Sequence, residues 1–71
     1  MELKVFEIKC QMARLGMSGA ALAAAADTYP ERISSILKTG RCGVVMAGKI
    51  ARAIGVDVTE IAVRERGDVD A

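Results

Sequence analysis

The sequence predicts an all-α fold, a compact bundle of five short helices. Three observations carry that prediction. Apolar residues recur at three- and four-residue spacing through most of the chain. Gly16, Pro30, Gly40, Gly43 and Gly55 punctuate those stretches where helices should start or stop. No alternating run suggests a pair of strands. With 71 residues there is room for one domain. A chain of this size buries only about 60% of the surface that its unfolded form exposes. It has one Phe, one Tyr and no Trp, so Ile, Val, Leu, Met and Ala must build the core.

The first helix is expected over residues 3–15, with Val5, Ile8, Met12 and Leu15 on one stripe. Gly16 ends it, as glycine does just past a helix C-terminus. Ser18 is a good N-cap for a second helix over 19–26, with Leu22 and Ala26 on its inner face. The Asp27-Thr28-Tyr29-Pro30 stretch breaks the pattern. Pro30 suits the first position of a third helix, where its missing N–H costs nothing, and it pushes Tyr29 to an extended backbone. That helix, 30–38, turns Ile33, Ile36 and Leu37 inward. A loop over 39–43 leads to a fourth helix, 44–54, which uses Val45 or Met46, Ile50, Ala53 and Ile54. Gly55 stops it, and Asp57 or Val58 opens a short fifth helix through Val63, with Ile61 inward. Residues 1–63 thus form the domain. The tail 64–71 has little to bury and is expected to be disordered.

Composition excludes several function classes. There is no histidine, no clustered carboxylate pair, no glycine-rich phosphate loop and no nucleophile with a nearby base in sequence. An enzyme is therefore not expected, and neither a catalytic residue nor a small-molecule substrate suggests itself. Cys10 and Cys42, without histidine, cannot complete a standard zinc site, so neither metal nor cofactor is expected. They read as reduced thiols of a cytoplasmic protein, Cys10 packed and Cys42 in a loop. No apolar run is long enough to span a bilayer. The formal net charge is only +1, low for a non-specific nucleic-acid binder. The charge is uneven: residues 1–63 are slightly basic and the tail slightly acidic.

Residues 16–40, GMSGAALAAAADTYPERISSILKTG, have the layout of a DNA-reading helix-turn-helix: a short helix, a sharp turn and a second helix opened by proline. Together with ISSIL and KIARAIGVDVTEIA, the chain resembles the lambda-repressor-like helix-turn-helix family over residues 3–63. This is the Cro and phage-repressor type, found also in bacterial and mobile-element regulators. The resemblance places the motif at about 18–38. It puts Ala23 where the two motif helices cross, and Leu22, Ile33 and Ile36 where apolar residues lock them. Three departures stand out. Asp27 occupies the turn position where the family has glycine at positive φ, a conformation Asp tolerates better than most residues. Gly19 stands where many members have a phosphate-touching glutamine. Met12 and Leu37 stand where many members bury an arginine–glutamate pair, an exchange of ion pair for apolar contact that is often neutral or stabilising.

The resemblance implies a sequence-specific transcriptional regulator, a repressor that binds a palindromic operator on double-stranded DNA as a homodimer. Helix 30–38 would enter the major groove through its first turn. Tyr29, Glu31, Arg32 and Ser35 are the candidate base contacts. Arg32 is the best reader, since a guanidinium grips guanine O6 and N7 together; otherwise it is a solvated arginine. Glu31 either accepts from a cytosine amino group or favours the helix N-terminus. Tyr29 either meets the sugar-phosphate strand or packs beside the second helix. Ser18, Thr28, Lys38, Thr39 and Arg41 are the candidate phosphate contacts, although N-capping alone accounts for Ser18. Val56, Val58, Ile61 and Val63 are the candidate dimer surface, or else part of the chain's own core. The alternative is an interaction module that kept the fold and lost DNA reading. Low net charge, Gly19 and the acidic Glu31 favour that alternative.

Overall fold

The computed structural model describes residues 1–63; the expected tail 64–71 lies outside the described residues. Five helices follow in order: α1 (Val5–Leu15), α2 (Gly19–Ala25), α3 (Pro30–Thr39), α4 (Val44–Ala53) and α5 (Val58–Ile61). The domain is all-α, as the spacing predicts. α2 packs most closely on α3 and also on α4, while α5 closes against α4 and α1.

The helix ends follow from local chemistry. α1 stops in a Schellman motif: Gly16 takes φ 64°, its N–H bonds to the Ala13 carbonyl, and the Met17 N–H reaches back to Met12. α4 ends the same way at Gly55, φ 75°, with Gly55 bonding Arg52 and Val56 bonding Ala51. α2 uses the same pair of bonds with an aspartate in the glycine position. Asp27 has φ 59°, its N–H bonds Ala24, and the Thr28 N–H bonds Ala23 at 2.8 Å. The Ser18 hydroxyl caps α2 by accepting from the Ala21 N–H at 3.1 Å. Asp57 and Glu60 form a reciprocal capping box on α5.

The core is aliphatic. Ile8, Leu22, Ile33, Ile50, Ile54 and Ile61 are its largest fully buried side chains. Ala23 is 1% exposed, and Ala26, Ala47 and Ala51 are buried beside it. Met12 and Leu37 are half-buried against this core and line one groove. Among the described residues no polar or charged residue is buried.

Three expectations need correction, and the choice left open between Val45 and Met46 is decided. Residues 3 and 4 are extended, not helical: Leu3 bonds Gly40 at 2.7 Å and Lys4 bonds Ile61 at 2.6 Å, with isolated β-bridges Glu2–Arg41 and Leu3–Ala62. This segment satisfies carbonyls left open at the ends of α3 and α5, a long-range pairing that periodicity does not reveal. Leu15 is 43% exposed, because Gly16 turns the chain away before the last turn of α1 is covered. On α4 the inward residue is Met46, while Val45 is 73% exposed. Cys10 is exposed on α1, whereas Cys42 lies in the α3–α4 loop as expected.

Candidate nucleic-acid interface

The surface is built from the α2–α3 unit upward. Ala23 of α2 has almost no exposed area, and α2 packs on both α3 and α4, most extensively on α3. Leu22 from α2 and Ile33 and Ile36 from α3 are buried in the same core cluster. That packing fixes which face of α3 points outward. At 3.6 residues per turn, Glu31, Ser35 and Lys38 fall on a line opposite Ile33, Ile36 and Leu37. Arg32 and Thr39 fall to one side of the line; Pro30 and Ser34 fall to the other. Glu31, Arg32, Ser35 and Lys38 are all exposed, and Tyr29 is 58% exposed.

Tyr29 is the N-cap residue of α3, with the extended backbone that Pro30 dictates, φ −118° and ψ 156°. Its carbonyl accepts from the Arg32 and Ile33 amides, but its side chain caps nothing. Glu31 lies in the first turn of α3, where its charge favours the helix dipole. The Arg32 charge is felt at Cys42 in the α3–α4 loop. Burial pushes the Cys42 thiol above its ordinary pKa, while the N-terminal ammonium and Arg32 pull it back.

The candidate phosphate contacts divide. Lys38 and Arg41 are exposed and carry no ion pair among the described residues. Ser18 is exposed; it uses an oxygen lone pair for the α2 cap and keeps its proton to donate. Thr28 is half-buried in the turn. The Thr39 hydroxyl donates to the Ser35 carbonyl at 3.0 Å and accepts from the Arg41 amide at 3.3 Å. Its single proton is thus spent on ending α3, and as folded it offers no donor to a phosphate. Lys49, on α4, reaches the turn: its ammonium lies 3.9 Å from the Asp27 carboxylate.

The expected dimer surface also divides. Ile61 is fully buried in the chain's own core, so it cannot meet a partner. The α5 helix is a single turn, and Ile61 is the residue that anchors it. Val56, Val58 and Val63 are half-buried, and the Val63 amide bonds the Glu2 carbonyl at 2.8 Å. Ser34, which the spacing leaves off the inner face but which was not among the candidate contacts, stands exposed with Pro30 on the other flank of α3. Among the described residues no group of His, Cys, Asp and Glu could hold a metal ion, and no helix is long and apolar enough to cross a membrane.

Compared with protein-family models, with curated proteins and with solved structures, the chain matches none.

Proposed function

We propose that the chain is a sequence-specific DNA-binding regulator that reads the major groove with the first turns of α3. The observation that carries this reading is the α2–turn–α3 unit. A buried Ala23, a left-handed Asp27 and a proline-opened α3 leave Tyr29, Glu31, Arg32, Ser35 and Lys38 exposed on one rigid helix. Such a helix suits the major groove, which is wide enough to admit it. Arg32 is the base reader in this proposal. Ser18, Lys38 and Arg41 hold the strands, and Thr28 closes the turn beside them. A repressor role at a palindromic operator requires a homodimer, for which Val56, Val58 and Val63 supply the apolar edge.

The test is a titration of the purified protein against a fluorescent duplex of its own upstream DNA, across salt and with scrambled competitor. Binding that resists competitor and weakens steeply with salt supports the reading. Binding that competitor removes equally well overturns it, and leaves the fold as a protein-interaction module.

A further inference from the structure

One groove, of about 810 Å³, runs between α1, the start of α2 and α3. Met12 and Ala13 of α1, Met17 before α2, and Ile33 and Leu37 of α3 are among its apolar lining. Lys9 and Lys38 flank it, and no acidic residue lines it. Both lysines are exposed, and neither has an ion pair among the described residues. Gly19 also lines the groove, and a Cβ added there would meet nothing within 4 Å. The chain's own packing therefore does not require glycine at that position, and the open space is available to an incoming group.

We propose that this groove docks an amphipathic helix of a partner protein, with apolar residues on one face and Asp or Glu on its flanks. The chemistry selects that occupant. Two unpaired ammonium groups beside an apolar floor complement acidic flanks beside an apolar stripe. Methionines suit such a floor, because an unbranched side chain repacks around different apolar partners. A small-ligand site needs placed polar groups to fix orientation. Here the neutral side-chain polar group is the Ser34 hydroxyl alone, among the lining residues. Strand addition needs a sheet edge and polyproline docking an aromatic-lined groove; the walls here are helices, and no aromatic residue is among the lining residues. This inference stands independently of DNA reading, although Lys38 belongs to both surfaces.

The experiment uses the whole chain and a fluorescein-labelled synthetic helix with leucines at i, i+4 and i+7 and glutamates on both flanks. Fluorescence anisotropy should give a dissociation constant on the order of 10 μM, as suits a contact smaller than a standard interface. Amide resonances of Lys9, Met12, Ser34 and Leu37 should shift, and those of Thr59 and Glu60 should not. Lys9→Glu should weaken binding about tenfold and leave the preference for operator over scrambled duplex unchanged, since Lys9 is outside the base-reading surface. The Lys9→Glu/Lys38→Glu double variant should instead accept a lysine-flanked version of the peptide. Equal binding of the glutamate- and lysine-flanked peptides by the wild-type chain would overturn the proposal. So would absence of binding at millimolar peptide, or self-association that Lys9→Glu abolishes, which would put a second copy in the groove.

Discussion

The Leu3 amide donates to the Gly40 carbonyl at 2.7 Å, tying the extended start of the chain to the residue that ends α3. Leu3 is also 4% exposed, so it contributes to the core from outside any helix. Gly40 takes φ 74°, a backbone conformation that strains any L side chain, although a Cβ there would meet only ordinary contacts, 3.4 Å from Val5 and 3.8 Å from the Leu3 carbonyl. The register of α3 at its C-terminal end thus depends on residues far away in sequence.

Leu3→Ala should therefore cost about 2–4 kcal/mol, a large part of the stability of a chain this small. Phe6→Ala, three residues away and 79% exposed, should change it by no more than about 0.5 kcal/mol. Urea denaturation of both variants checks the contrast. Equal losses would mean that the N-terminal segment is not packed as described.

Substitution at Ala23 tests how tightly the buried face of α2 is packed. Ala23→Leu inserts three carbons where exposure is 1%, and overpacking of this kind costs about 1–3 kcal/mol. Ala24→Leu, on the exposed side of the same helix, should be close to neutral. Thermal melts followed by far-ultraviolet circular dichroism separate the two.

The turn makes its own prediction. A β-branched residue at φ 59° is strained, so Asp27→Val should destabilise by about 1–2 kcal/mol. Asp27→Gly should keep the Schellman bonds and differ from wild type by less than about 1 kcal/mol. It also loses the Lys49 ion pair, whose exposed partner gives that contact little weight.

Acid sensitivity should be traceable to the α5 cap. Hydrogen bonds from the Thr59 amide and hydroxyl hold the Asp57 carboxyl below its ordinary pKa. A carboxylate with a depressed folded pKa adds stability that is full above its unfolded pKa and fades as pH falls through the folded one. Asp57→Asn should accordingly melt below wild type at neutral pH, and the gap should close as the pH drops below the carboxylate range. A gap independent of pH would reject the charge as its source.

On the DNA proposal, Arg32→Ala should reduce the preference for the operator over scrambled duplex. Lys38→Ala should weaken binding to both duplexes and lower the salt slope by about one unit. Unchanged affinity in both variants, by anisotropy at two salt concentrations, would remove α3 from the interface.

Much of the fold was legible in the sequence because it is set locally. Ser18, Gly16, Gly55 and Asp57 begin or end helices through bonds within a few residues of themselves, Pro30 opens α3 through its fixed backbone angle, and each does so in the structure. Spacing alone placed Ile8, Leu22, Ile33, Ile36, Ile50 and Ile54 inward, and all are buried. The left-handed conformation of Asp27 was expected only through the family resemblance, which puts a positive-φ glycine at that position. Of the candidate interface, sequence order placed Glu31, Arg32, Ser35 and Lys38 together on α3, since a helix brings its own residues into line.

Tertiary structure decided the rest. Whether Ile61 met a partner or its own core depended on α1 and α4 closing over a helix of one turn. Whether Thr39 had a proton to spare depended on the Ser35 carbonyl and the course of the chain into Arg41. The pairing of residues 2 and 3 with 41 and 62, and the lysine-flanked groove between α1 and α3, join segments that no period connects. Local bonds determine where a helix starts and stops; only the packing of one helix against another determines which of its faces remains for a ligand.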